Sequence, residues 1–154
     1  MVRKSLCFLL LSALIVTMTM PFHSSAAAAD AGEVIDYSAE DLGNGITVES
    51  VITLSSTRTL RSASNTSTFK RDGKEIAKVT LYATFTYNGS LASVWSTDYS
   101  KSTSLGWFYR SHQITTMDRM PSATATLDAK LQGIVGIIPV HITLRCSPTG
   151  TITK

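Results

Sequence analysis

The chain has 154 residues, of which 44% are hydrophobic and 16% are charged, and its formal net charge is +3 at pH 7. This size suits one domain built around one core. The sequence shows no internal repeat, heptad pattern or long amphipathic helix, which excludes a solenoid or a coiled-coil rod.

The first 29 residues predict a cleaved signal peptide. A positive pair at 3–4 is followed by an apolar run over 6–20 and by small residues over 24–29. This order of charge, apolar run and small residues is what a signal peptidase recognises. The run is shorter than a comfortable membrane span, and no second apolar run follows it, so we expect no transmembrane segment in the mature chain. We expect a mature protein that begins near 29–30 and is secreted into the medium or the cell envelope.

Charge divides the remaining chain into an acidic leader and a basic body. Residues 30–49 carry six carboxylates and no Lys or Arg, whereas 50–154 carry twelve basic and five acidic side chains, a net charge of +7. We therefore predict an acidic flexible lead-in over 30–45, with a short helical turn over 34–42, before a single β-sandwich domain over 46–154. The lead-in is either a plain solvated segment or a screen that an anionic partner displaces.

From Ile46 onward, apolar residues recur with a period near two among many Thr and Ser residues, which indicates β-strands. The predicted strands cover 46–54, 57–63, 66–70, 75–87, 90–97, 105–115, 122–131 and 137–146. Turn residues at Asp72-Gly73, over 133–136 and over 148–150 separate some of them. Seven or eight short strands without βαβ alternation predict an all-β antiparallel β-sandwich, or a partly open barrel.

Asn88 and Gly89 stand between two alternating runs and predict a type I′ hairpin, because both central positions of that turn need positive φ. Such a turn puts Phe85 on the buried face and leaves Tyr82 on the other face. The register that follows would pair Tyr87 with Ser90, Phe85 with Ala92, Ala83 with Val94, Thr84 with Ser93 and Tyr82 with Trp95.

Cys146 is the only cysteine expected in the mature chain, because Cys7 leaves with the signal peptide. It lies in phase with Val140, Ile142 and Leu144 on an alternating strand. This phase predicts a buried free thiol, and an intermolecular disulfide is the alternative.

Two segments carry a resemblance to a group of known sequences. They are ATFTYNGS over 83–90 and ITLRCSPTG over 142–150. Both resemble small exported all-β proteins of Gram-positive bacteria, which are uncharacterised. The resemblance implies a bacterial secreted protein and carries no catalytic residue to transfer.

No motif indicates catalysis or a cofactor. His112, His141 and Cys146 lack the paired spacing of metal ligands, and the odd separation of His141 and Cys146 puts them on opposite strand faces. There is no Gly-x-Ser-x-Gly motif, and the few carboxylates show no pairing of the glycosidase kind. We therefore predict a protein that is not an enzyme and that uses no cofactor.

Two sets of side chains are candidates for binding. The aromatic candidates can stack on sugar rings, and the basic candidates can contact anionic polymers; the alternatives are aromatic cover for the core and edge-strand protection against aggregation. We expect Trp107 and Tyr109 to share one strand face. Nucleic acid is an unusual partner for an exported protein, so we exclude it. The candidates are Tyr82, Trp95, Trp107, Tyr109, Arg58, Arg61, Lys70, Arg71, Lys74 and Lys78.

These features predict an exported, non-enzymatic protein that binds cell-envelope polymers or glycans. The alternative is a secreted toxin, bacteriocin-like factor or immunity protein. In that case the Thr/Ser-rich hairpin over 79–97 would act at a membrane.

Overall fold

A computed structural model gives the structure of residues 32–56, 60–119 and 121–154. Within these residues the chain is all-β, and its nine strands form two antiparallel sheets of a β-sandwich, which confirms the predicted fold class. The predicted signal peptide over 1–29 lies outside the described residues. The first sheet contains β1 (Glu33–Gly43), β2 (Ile46–Ser56), β3 (Leu60–Arg71), β4 (Lys74–Tyr87) and β5 (Ala92–Thr103); the second contains β6 (Phe108–Arg119), β7 (Ser122–Gly133), β8 (Gly136–Cys146) and β9 (Ile152–Thr153).

The core lies between the two sheets and is built from alternating apolar residues. Leu81 and Phe85 of β4, Leu127 of β7 and Leu144 of β8 are completely buried. Burial of each such side chain stabilises the fold by about 1.5–3 kcal/mol before the entropy of ordering is subtracted. The face assignments predicted from alternation in β4, β7 and β8 are therefore confirmed.

Cys146 is a free, buried thiol at the end of β8, as its phase predicts. Burial raises the pKa of this thiol above its ordinary value, and the nearby charge of Arg61 opposes part of that rise. His141 is exposed on the opposite face of the same strand.

Short turns join β1 to β2 and β3 to β4 at one end of the sandwich. Asn44 and Gly45 have φ of 54° and 72°, and Asp72 and Gly73 have φ of 50° and 77°. Positive φ at both central positions is the signature of a type I′ turn, so the predicted Asp72-Gly73 turn is confirmed. The Asp72 N–H also donates to the Gly45 carbonyl at 2.9 Å, which joins the two turns.

Most of the predicted acidic lead-in forms a strand in the structure. β1 pairs with β2 from Glu33 opposite Leu54 to Gly43 opposite Ile46, so the short helical turn expected over 34–42 is wrong. All side chains of β1 except that of Ser38 are exposed, and such a strand shows no apolar face that a pattern could reveal. Backbone pairing holds it in place, and its carboxylates suit a sheet edge because charge opposes edge-to-edge aggregation.

The two strands predicted over 57–63 and 66–70 form the single strand β3 over its described range. The expected gap contains Asn65, which is only 3% exposed. Its side-chain Nδ2 donates to the Thr143 carbonyl of the other sheet at 3.0 Å. A polar residue that favours a break in the pattern is thus accommodated by a hydrogen bond between the sheets.

The predicted register of the β4–β5 hairpin is wrong. Asn88 to Leu91 form a four-residue loop, in which Asn88 Oδ1 accepts hydrogen bonds from the Ser90 and Leu91 N–H groups at 3.0 and 2.9 Å. Gly89 also donates its N–H to the Pro148 carbonyl at 2.9 Å, a contact outside the hairpin. A bulge then shifts the strands once more. The observed pairs are Tyr87 with Ala92, Thr86 with Ser93, Phe85 with Val94, Thr84 with Ser96, Ala83 with Thr97 and Tyr82 with Asp98.

Candidate functional site

A groove of about 690 Å³ crosses β2, β3, β4 and β5 near one end of the five-stranded sheet. Its polar side chains lie on the outer face, because the alternate positions of β3 and β4, such as Ala63 and Phe85, are buried in the core. The lining residues are Gly32, Thr53, Ser55, Ser62, Ala63, Ser64, Tyr82, Ala83, Thr84, Ser96, Thr97 and Asp98.

Strand register assembles the groove in two rows across the sheet. The first row aligns Thr53, Ser64, Tyr82 and Asp98, and the second aligns Ser55, Ser62, Thr84 and Ser96. Cross-strand neighbours on one face have Cβ atoms about 4.5–5.5 Å apart, so each row forms a continuous polar strip.

Hydrogen bonds between the strands hold the hydroxyl groups in position. The Thr53 and Ser64 hydroxyls are 2.6 Å apart, and those of Ser62 and Thr84 are 3.0 Å apart. One hydroxyl of each pair donates to the other. The accepting hydroxyl keeps its own proton, and both oxygens keep acceptor capacity. The groove therefore presents donors and acceptors close together.

An aromatic ring and a carboxylate lie beside these hydroxyls. The Tyr82 side chain is exposed, and its hydroxyl lies 3.3 Å from the Ser100 Oγ. The Asp98 Oδ1 accepts a hydrogen bond from the Tyr99 N–H at 2.8 Å, which orients the carboxylate. Trp95 is the extra residue of the β5 bulge, directly before Ser96, and is 71% exposed.

The predicted pairing of Tyr82 with Trp95 is wrong, since Tyr82 lies opposite Asp98. The bulge at Thr84 and the longer hairpin loop move Trp95 along the sheet. Both rings nevertheless remain exposed on β4 and β5.

Trp107 and Tyr109 belong to a different part of the molecule. Trp107 lies just before β6 and is buried in the core, and Tyr109 of β6 packs against that same core, so neither ring lies on the open outer face of a sheet. Tyr109 is half-buried, its hydroxyl donates to the Lys78 carbonyl at 3.4 Å, and burial raises its pKa to about 12.

The predicted basic residues do not form one free patch. Lys70 makes an ion pair with Glu49 at 2.7 Å, and this contact raises the pKa of the Lys70 amine. Arg71 lies 3.8 Å from the Asp72 carboxylate. The half-buried Arg61 lies over the Tyr87 ring at 5.9 Å.

Lys74 and Lys78 are exposed, and Arg58 lies outside the described residues. Among the residues that the structure describes, Lys74 and Lys78 are thus the basic candidates that are exposed and have no ion pair of the kind made by Lys70.

A second polar arrangement, which sequence reasoning missed, lies on the four-stranded sheet. With its proton on Nδ1, His141 donates to Asp128 Oδ1 at 2.6 Å, while Nε2 accepts from the Thr143 hydroxyl at 3.2 Å. The Gly133–Gly136 turn could have revealed the pair, because counting back from it places Asp128 opposite His141. Both side chains are exposed, so water competes for these hydrogen bonds.

The described residues contain no group of three or more His, Cys, Asp or Glu side chains that could hold a metal ion. In the same part of the chain, no helix has the length and apolar character needed to cross a bilayer. The chain matches no family model, no curated protein and no solved structure.

Proposed function

We propose that this chain is an exported, non-enzymatic binding module that holds a hydroxyl-rich polymer of the cell envelope, such as a glycan, in the groove across β2–β5. The observation that carries the proposal is the combination of paired hydroxyls, an exposed tyrosine ring and an oriented carboxylate in one groove.

The chemistry of the groove complements a sugar. Sugar hydroxyls both donate and accept hydrogen bonds, as do the Ser and Thr hydroxyls of the two rows. The Asp98 carboxylate accepts strong, charge-assisted hydrogen bonds from hydroxyl donors. Tyr82 supplies an apolar ring face with a polar edge, which suits the apolar face of a pyranose. A concave site with a few convergent polar groups is typical of ligand binding.

Anionic groups on the polymer would add a salt-dependent contribution through Lys74 and Lys78. Lys78 pairs with Thr68 on the same sheet, toward the end that carries the β3–β4 turn. Charge contacts of this kind weaken as the Debye length falls from about 10 Å at 0.1 M to about 3 Å at 1 M ionic strength. The hydroxyl and ring contacts are nearly independent of salt.

Core packing favours this binding function over a toxin whose hairpin over 79–97 inserts into a membrane. Val79, Leu81 and Phe85 of that hairpin are almost completely buried against the other sheet. Insertion of the hairpin would have to open the core first.

The test is a pull-down of the purified mature protein with isolated cell walls at 0.1 M and 1 M salt. We expect Tyr82→Ala and Asp98→Asn each to weaken binding at least tenfold at both salt concentrations. Tyr37→Ala is the matched control, because Tyr37 is an exposed tyrosine of the same sheet that does not line the groove. Equal binding by the wild type and the two groove variants would overturn the proposal. Failure of the wild type to bind the walls at 0.1 M or at 1 M salt would overturn it as well.

A further inference from the structure

Five large apolar side chains are exposed on the β5–β6 loop, at the start of β6 and on the β7–β8 hairpin. Leu105 is fully exposed at 104% and Ile134 is 84% exposed, while the other three are exposed to smaller degrees. Together they form the apolar tip, which consists of Leu105, Phe108, Ile134, Val135 and Ile137.

Two contacts bring these side chains together at one end of the four-stranded sheet. Phe108 of β6 and Ile137 of β8 each pair with Gln132 of β7, so they lie on either side of it. The buried Trp107 ring packs against Gly133, so the β5–β6 loop is fixed to the hairpin that carries Ile134. The apolar tip is therefore one surface of a packed structure.

The β7–β8 turn within the tip has residues that are unusual for a tight turn. Ile134 and Val135 occupy the two positions between the paired Gly133 and Gly136, where polar residues and glycine are preferred. Two other turns of the sandwich follow that preference, with Asn44-Gly45 and Asp72-Gly73. Exposed Ile and Val gain nothing from the core, and a patch of such side chains marks an interaction surface.

The strands that lead to the tip carry basic side chains. Lys101, Arg110 and Lys130 are exposed on the strands that lead to it, and residues 99–117 and 129–154 contain no Asp or Glu. Lys130 lies two residues before Gln132, about 7 Å along the strand at the usual rise. On the other sheet, the β3–β4 turn lies toward the same end, and its two basic residues, Arg71 and Lys74, equal in number its two acidic residues, Asp72 and Glu75. The strands that lead to the tip therefore carry net positive charge, and such charges act over about one Debye length, near 10 Å at 0.1 M salt.

We propose that the apolar tip docks on an anionic lipid surface. Leu105, Ile134 and the adjacent tip side chains enter the boundary between headgroups and acyl chains, and Lys101, Arg110 and Lys130 contact lipid phosphates. Apolar side chains at the front and basic side chains behind them are the arrangement of peripheral membrane anchors. This surface is distinct from the groove across β2–β5, and neither requires the other.

A lipid surface fits the tip better than a second copy of the chain. A stable protein interface buries roughly 800 Å² per partner and needs about 20–30 residues a side. The tip offers only five apolar residues, on the β5–β6 loop, the first residue of β6 and the β7–β8 hairpin. Lipid deforms around projecting side chains, and the flanking cations would repel the same cations of a second copy.

Vesicle sedimentation of the mature protein tests the proposal. Vesicles of phosphatidylcholine with 30% phosphatidylglycerol (about a third anionic) are compared with pure phosphatidylcholine vesicles. We expect the wild type to bind the anionic vesicles, and we expect this binding to weaken as the salt concentration rises. The double variant Leu105→Ser with Ile134→Ser should bind at least tenfold more weakly. Val34→Ser is the matched control, since Val34 is an exposed apolar residue near the opposite end of β1 from the β1–β2 turn.

The outcomes separate the alternatives. Circular dichroism establishes that the variants keep the fold, which is expected because both substituted side chains are exposed. Lys130→Gln with Arg110→Gln should reduce binding to anionic vesicles and leave any residual binding to neutral vesicles unchanged. Equal binding by the wild type and the double serine variant, or no binding to anionic vesicles, overturns the proposal. If the wild type does not bind vesicles but forms a concentration-dependent dimer, and the double serine variant stays monomeric, the tip contacts a second copy of the chain instead.

Discussion

The Trp107 ring packs so closely on Gly133 that a Cβ atom at position 133 would clash with Trp107 Cε3. This contact joins the loop before β6 to the hairpin after β7. It explains how a loop tryptophan is buried, and it holds Leu105 and Ile134 on neighbouring loops at one end of the fold.

The first prediction concerns this contact. Gly133→Ala should lower the free energy of unfolding by about 1–3 kcal/mol, because the added methyl overpacks the site. In a Trp107→Ala background, the same substitution should cost almost nothing, since the atoms that it meets are gone. Chemical denaturation of the four proteins of this cycle measures the coupling. Additive effects of the two substitutions would show that the clash is not the cause.

The second prediction concerns the faces of β4. Phe85→Ala should lower the free energy of unfolding by about 3–5 kcal/mol, because it removes a fully buried ring and leaves a cavity. Thr84→Ala should cost only about 0.5–1.5 kcal/mol, mainly from the lost hydrogen bond to Ser62. Urea titration of both variants checks this. Similar small losses would mean that Phe85 is not a core residue.

The third prediction is a pH dependence above the neutral range. The Tyr109 pKa is raised to about 12 by burial, from an ordinary value near 10. The unfolded chain therefore releases this proton first, and the free energy of unfolding should fall as pH rises from about 10 to 12. Lys70, whose pKa is also raised, contributes in the same direction.

Tyr109→Phe separates these contributions, because it removes the phenol and leaves Lys70 and Glu49 in place. Its stability should depend less steeply on pH over that window, measured by denaturation at several pH values. Ultraviolet difference titration should show one tyrosine fewer in the late-titrating fraction. An unchanged titration curve would contradict the assignment to Tyr109.

The fourth prediction concerns the thiol of Cys146. It is buried and free, and burial raises its pKa, so little thiolate is present near neutral pH. The native protein should react slowly with a thiol reagent and rapidly in denaturant. A colorimetric thiol assay with and without denaturant measures both rates. Fast labelling of the native protein, or a dimer on a non-reducing gel, would point to an exposed or bridging cysteine.

The alternation of side chains was sufficient to predict the most buried parts of the fold. Val140, Ile142 and Leu144 repeat every second residue, which places Cys146 in the core whatever the neighbouring strands do. The Asp72-Gly73 turn was also predictable, because the turn needs positive φ at two positions and Asp and Gly are residue types that adopt it. Such features depend on local chemistry, so a single sequence contains them.

The tertiary structure decided the features that depend on several strands at once. The sequence around Asn88 could not reveal the four-residue loop, because Gly89 donates its N–H to the carbonyl of Pro148, 59 residues further along the chain. β1 has no apolar face and becomes a strand only beside β2. The groove requires Thr53, Ser64, Tyr82 and Asp98 to align over three strand pairings, and each loop length and bulge shifts that alignment. Local patterning determines which face of a strand is buried, whereas register, and with it the candidate site, is set by contacts that distant segments make only in the folded state.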